Sequence, residues 1–399
     1  MKVLVVAEYY PRAADPVLGI WAHRQAVAAR DAGAEVRVLV LHRPIPPLAA
    51  LRTADPGALR EALRQPGRAR LDGIEIEYVR YLSPPRPWSY GAWGAWAAPS
   101  LARALHGLRR RFLFELVHAH YAVPAGDAVR RAAPEAPLIV SVHGGDVYAV
   151  TARRVGSRTV AATLAHARLV LANSAGTARR CEQHGARATR VVHLGADLPP
   201  APGSRERIGG APPVLVTVGH LIARKRHRDV IAALPALLQR HPDLRYVIVG
   251  DGPERAPLAA LARSLGVERN VELLGSLPHE QAIARARAAD LFVLPSVDEA
   301  FGVAYVEAMA GGVPAIGCRG VDGPQEIAAA GQGMVLVEPG DVPGLADRIE
   351  ALLSAPSERA ELGRQARLTV ARGFTWERCG KETMSAYRDV LPGAGPGHV

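Results

Sequence analysis

Cysteine is scarce, with three among 399 residues, Cys181, Cys318 and Cys379. Far apart and odd in number, they exclude a disulfide framework and a zinc ribbon and suit a reducing cytoplasm. Long uncharged runs are also lacking. The longest, Pro87–Ala102 and Ile208–Ala223, reach 16 residues and both contain proline, whereas a spanning helix needs about 20 apolar residues. Glu8 interrupts the opening apolar run too early for a signal peptide. No zinc-finger spacing, RNP-like motif or basic heptad region occurs, so nucleic acid is not an expected partner. GxSxG, HExxH and Walker-type glycine loops are missing as well. No Asp-x-Asp triplet is present, which argues against a divalent ion held on a diphosphate by paired carboxylates. Lysine is nearly absent, contributing three of the 49 basic residues.

What is present points to two globular domains. The chain exceeds the roughly 250–300 residues that one core supports, and 49% hydrophobic with 22% charged residues excludes disorder. Residues 1–200 carry 27 Lys+Arg against 15 Asp+Glu, a net +12, and residues 201–399 carry 22 against 23, a net −1. The first half should therefore attract anions, anionic lipid included, although an arginine-rich solvated surface explains the same numbers.

Apolar runs such as KVLVVAE, LVHAH, PLIVSVH, PVLVTVG, LRYVIVG and DLFVLP alternate with amphipathic stretches such as WAHRQAVAARDAG and DVIAALPALLQRH. Continuous Val/Ile/Leu runs suit parallel strands covered on both faces, with right-handed helical crossovers. The expected fold is α/β, two doubly wound, Rossmann-like parallel-sheet domains facing a central cleft. The Pro- and Gly-rich stretch LPPAPGSRERIGGAPP separates the two series. Expected boundaries are 1–198 for the first domain, 199–213 for the linker and 214–374 for the second domain. A helix over about 375–392 returns to the first domain, with Phe374 and Trp376 anchoring the crossing.

After DLFVLPS comes DEAFGVAYVEAMAGGVPAIG. Glu299 falls in a strand-end loop and Glu307 inside the following helix, with Phe301, Gly302 and Val303 between them. A glycine there lets backbone N–H groups approach an anion at a helix start. A carboxylate such as Glu307 can accept two hydrogen bonds from a vicinal diol such as ribose, although alone it also reads as a solvated helix residue. Upstream, VTVGHLIARKRHRD places Arg224 and Lys225 on a loop entering a helix. A guanidinium fork beside an ammonium suits a diphosphate, although a basic loop in an arginine-rich protein explains them too.

Together these pieces resemble the retaining GT-B glycosyltransferases of the glycosyltransferase family 4 type, and the resemblance spans nearly the whole chain. It implies that Gly219, Arg224 and Lys225 lie at the donor diphosphate. It also implies that Leu277 and Pro278, in GSLPHEQ, border the nucleobase, and that Glu307 binds the ribose. Glu299 should meet the sugar hydroxyls, with the amides of Phe301, Gly302 and Val303 near sugar and phosphate. Where the family often has Arg after the glycine of VGRL and Gly after the lysine, this chain has His220 and Arg226, which leaves the individual phosphate contacts open.

In the first half, Gly19 follows EYYPRAADPVL, where the family brings backbone close to phosphate or acceptor. His143, in LIVSVHGGDVY, matches the family's donor-sugar histidine. His120 and Asp146 are acceptor-side candidates. Trp88 and Trp93 are too, in a segment that also contains Trp96 and ends in Arg109, Arg110 and Arg111. That segment alternatively suits an anionic bilayer surface, or its rings pack beneath the loop.

The implied activity is transfer of a sugar from a UDP- or GDP-sugar to an acceptor hydroxyl with anomeric retention, in polysaccharide, glycolipid or other glycoconjugate synthesis. His143, Glu299, Arg224 and Lys225 would be its catalytic groups, with no cofactor and no metal. A cytoplasmic location with peripheral membrane contact follows as an expectation. A nucleotide-sugar 2-epimerase of the same fold is one rival, distinguished by epimer formation without an acceptor. A non-catalytic nucleotide-sugar-binding protein is the other, and the intact set of charged residues argues against it.

Overall fold

A computed structural model describes residues 1–45, 57, 64–200 and 212–391; most of the expected linker, 201–211, lies outside the described residues. The chain divides into two compact units, Met1–His193 with Trp376–Val399, and Leu194–Thr375.

The first unit is built on eight strands: β1 (Lys2–Ala7), β2 (Glu35–His42), β3 (Arg68–Leu71), β4 (Ile74–Arg80), β5 (Leu116–His120), β6 (Leu138–Val142), β7 (Leu169–Ala172) and β8 (Thr189–Val191). Their order is β3-β4-β2-β1-β5-β6-β7-β8. All neighbours are parallel except β3, which pairs antiparallel with β4. β1 is buried from Val3 to Ala7, as its uninterrupted apolar sequence requires at the centre of a sheet covered on both faces. The helix Trp93–Arg109 lays Trp93, Ala97, Leu101, Leu105 and Leu108 into the core, a stripe at three- and four-residue spacing.

The second unit has β9 (Val214–Val218), β10 (Arg245–Val249), β11 (Val271–Gly275), β12 (Leu291–Val293), β13 (Ala315–Cys318) and β14 (Met334–Val337). They form an all-parallel sheet ordered β11-β10-β9-β12-β13-β14. Leu194–Leu198, assigned from sequence to the first domain, belong to this unit. The amide of Ala196 donates to the carbonyl of Phe374 at 2.9 Å.

The helix Trp376–Val390 joins the first unit, packing on helix Ile20–Asp31. Gln25 Nε2 donates to Thr383 Oγ1 at 3.1 Å there, and Arg24 lies over the Trp376 ring. Phe374 stays in the second unit, as the expected boundary has it, its ring 5.6 Å from that of Phe301.

Candidate active site

In open parallel sheets, ligands bind beyond the carboxyl ends of the strands, where the strand order switches direction. In the second unit that point lies between β9 and β12. The loop after β9 carries Gly219 and a turn, Ala223–Lys225; the loop after β12 carries Ser296 to Glu299. A backbone bond from Val297 N–H to the Arg224 carbonyl, 2.9 Å, joins the two loops. Lys225 Nζ donates to Oε2 of Glu299, Ser296 Oγ donates to the same oxygen at 3.1 Å, and Arg224 Nη1 lies 3.8 Å away. Arg224 also donates to the Asp298 carbonyl at 3.1 Å. Burial of Glu299 pushes its carboxyl pKa up, but Lys225, Arg224 and the Ser296 hydroxyl outweigh that and hold it below the ordinary value. A buried carboxylate thus stays ionised with two cations on it.

Gly302 turns the chain from this loop into helix Val303–Ala310. Its φ is +87° and a Cβ there would come 2.5 Å from the Tyr305 ring, so a side chain is excluded on both counts. No side chain caps the helix start. The Phe301 ring is buried, which leaves only its backbone to offer a ligand. Glu307 sits in the second turn, with Oε1 3.3 Å from His279 Nε2, an ion pair when that imidazole is protonated. Leu277 and Pro278 immediately precede His279, Pro278 at the start of helix His279–Ala288. Arg287 Nε donates to the Glu307 carbonyl at 3.2 Å. One stretch, 296–307, therefore carries Glu299 to the cation pair and Glu307 to the Leu277–His279 loop.

In the first unit the switch point lies between β1 and β5. Gly19, buried with φ +64°, begins helix Ile20–Asp31; a Cβ there would sit 2.2 Å from the Tyr9 carbonyl carbon. The helix brings Trp21 to 6.2 Å from the His143 ring. His143 follows β6, and its Nε2 lies 3.0 Å from Nδ1 of His120, the last residue of β5. His118, one layer deeper, bonds Tyr387 OH through Nδ1 at 2.8 Å and Ser141 Oγ through Nε2 at 2.7 Å. Burial pushes His143 and His118 down to about 3, and His120 well below its ordinary value. All three rings are therefore held neutral at pH 7. Nδ1 of His143 has no hydrogen-bond partner among the described residues.

The acceptor-side candidates separate. Trp88 is 72% exposed and lines a cavity of about 630 Å³. Trp93 does not line it: 4% exposed, it belongs to the core, donating from Nε1 to Ser89 Oγ at 2.9 Å. His120 is buried beneath His143 and supports that ring instead of presenting a surface. Asp146 is fully buried; its Oδ2 accepts from the Ala122 amide at 3.0 Å, and burial raises its pKa to about 8. The bilayer-facing reading of this segment loses Trp93 for the same reason. Arg109 stacks on Phe114, and Arg111 donates to Glu77 at 2.5 Å. Among the described residues no helix is long and apolar enough to cross a membrane. Sequence reasoning passed over His279, Ser296, Trp21, Tyr9 and Tyr121. Only His279 and Tyr121 had a local signal, each adjoining a motif residue.

Residues 18–199 match the model described as Glycosyltransferase Family 4, and residues 204–369 the model for glycosyl transferases group 1. A D-inositol 3-phosphate glycosyltransferase of Nocardia farcinica is 30% identical over 308 residues, 70% of this chain and 67% of the relative. The chain belongs to the family 4 glycosyltransferases of GT-B fold. A glycogen synthase of Mycobacterium tuberculosis is 26% identical to this glycosyltransferase over 408 residues, covering 97% of this chain and 94% of the relative. Among solved structures, sucrose-phosphate synthase from Thermosynechococcus elongatus superposes with a TM-score of 0.75 at 20% identity, over 98% of this chain and 99% of that one. Anabaena Alr3699/HepE in complex with UDP and glucose gives 0.71 at 22%, over 98% and 100%. At these identities the two structures speak to fold alone.

Proposed function

We propose that this glycosyltransferase transfers a sugar from a UDP- or GDP-sugar to an acceptor hydroxyl with retention of anomeric configuration. The observation that carries the reading is the convergence of Lys225 and Arg224 on Glu299, beside the uncapped start of helix Val303–Ala310. Cations and free backbone N–H groups at one strand end suit the charge that builds on a departing diphosphate. Arg224 and Lys225 take that charge, so turnover needs no divalent ion. Glu307, with the Leu277–His279 loop, binds ribose and base. Glu299 accepts from sugar hydroxyls, and His143 of the first unit donates to the sugar as a neutral imidazole. The Nocardia relative is a D-inositol 3-phosphate glycosyltransferase, which supports sugar transfer as the reaction.

Donor class is tested by thermal shift with UDP, GDP, ADP and their sugars in EDTA, since a ligand of the native state raises Tm. A rise with UDP or GDP is expected; no rise with any nucleotide would remove the reading. Proton NMR of the product's anomeric centre tests retention.

A further inference from the structure

The hydrogen bonds behind His143 decide what that ring can offer a ligand. A side-chain period of two puts His118 and His120 of β5 on one face of the sheet. Ser141, in β6, and His143, just after it, stand on the same face beside them. His118 is fully served, by Tyr387 OH at Nδ1 and Ser141 Oγ at Nε2. Both partners are hydroxyls, which donate or accept as needed, so His118 is satisfied in either tautomer. His120 and His143 have each other. Nδ1 of His120 lies 3.0 Å from Nε2 of His143, with the ring planes parallel to within 7°. Their outer nitrogens, Nε2 of His120 and Nδ1 of His143, are buried and without a partner among the described residues.

Two neutral imidazoles carry two N–H protons, and one of these lies in the bond the rings share. Two arrangements place the other. If His143 donates to His120, the second proton is on Nε2 of His120, where no ligand meets it because that ring is 1% exposed. If His120 donates, the second proton is on Nδ1 of His143, the half-buried ring at the strand end. The core then keeps only a lone pair. A buried N–H without an acceptor is the rarer and costlier defect. A ligand oxygen beside His143 therefore favours the second arrangement, which leaves no N–H unmatched.

We infer that His120 is a positioning residue: it donates from Nδ1 to Nε2 of His143 and so holds the His143 proton on Nδ1, where an oxygen of the donor sugar accepts it. His120 itself does not touch the sugar. The inference rests on the proposed role of His143 in the transfer reaction. It adds which nitrogen of His143 donates, and which residue fixes that choice.

The test is nitrogen NMR of the full chain labelled in its histidine rings, with the His143 signals identified by their loss in His143→Ala. In wild type, Nδ1 of His143 should give the signal of a protonated nitrogen and Nε2 that of a bare one. His120→Phe keeps a ring without a donor, and the proton should then spread over both nitrogens of His143. His120→Asn offers an amide N–H in place of Nδ1 and should hold the proton on Nδ1 again. Adding UDP-glucose or GDP-mannose should shift the Nδ1 signal, whereas UDP or GDP alone should leave it in place. A wild-type proton on Nε2 overturns the inference, as does an Nδ1 proton undisturbed in His120→Phe or lost in His120→Asn. Where a variant fails to fold, the wild-type signals alone decide. A proton on Nδ1 that responds to neither nucleotide sugar overturns the donor-sugar role of His143 instead, so the two failures are distinct.

Discussion

Lys225 and Glu299, 74 positions apart in the chain, form a hydrogen-bonded ion pair in the second unit. The pair joins the group assigned to the diphosphate with the group assigned to the sugar. Glu299→Gln keeps the shape and removes the charge that competes for Lys225. Nucleoside diphosphate affinity should hold or rise, and kcat should fall at least tenfold, because contacts made to the reacting sugar register in kcat. Affinity lost with kcat unchanged would place Glu299 on the nucleotide.

Glu307 is assigned to the ribose, where one carboxylate accepts from two hydroxyls. Glu307→Gln should weaken UDP or GDP at least tenfold, the scale of a charge-assisted hydrogen bond, and leave inhibition by inorganic pyrophosphate unchanged. Equal losses for both would show that the residue acts on the phosphates or on the fold.

His143 is held neutral, its pKa pushed down to about 3 by burial. No ionisation of this ring should appear in the rate between pH 5 and 8. His143→Ala should lower kcat at least tenfold with nucleotide affinity preserved. A wild-type rate that falls on a pKa near 6.5, and a flat profile in His143→Ala, would mean that an imidazolium does the work.

Asp146 supplies a stability signature. Its folded pKa of about 8 lies above its ordinary value of 3.8. The folded state therefore keeps a proton that the unfolded chain gives up, and stability falls as pH rises from about 4 to 8, by at most about 1.4 kcal/mol per unit. The buried histidines act oppositely. Depressed below 6.5, they contribute fully above that value and lose their contribution as pH falls through it toward 3. Asp146→Asn removes only the first slope, so its Tm relative to wild type should climb steadily between pH 5 and 8. A constant difference would show that Asp146 is ionised in the folded protein.

Both sheets were legible because parallel strands buried on two faces must be written as unbroken apolar runs. Among the described residues the one strand passed over, Arg68–Leu71 (RARL), is an antiparallel edge strand with alternating exposure. Asp72-Gly73, with φ of +46° and +81°, is the hairpin turn signal that was there to be used. Arg224, Lys225 and Glu299 could be singled out because each lies in a strand-end loop with its own motif. The His279–Glu307 contact could not, since it joins two helices through the tertiary fold. Trp93 was misassigned by counting rings instead of phase: it shares a stripe with Ala97, Leu101, Leu105 and Leu108, and Trp96, 53% exposed, lies off it.

The most direct measurement is calorimetric affinity for UDP and GDP in EDTA, comparing wild type with Arg224→Ala and Lys225→Ala. The preferred nucleotide should bind wild type without metal and lose at least tenfold in each variant, with Tm little changed. Undiminished affinity in both variants, or wild-type binding that requires a divalent ion, would contradict a diphosphate seat built from these two cations.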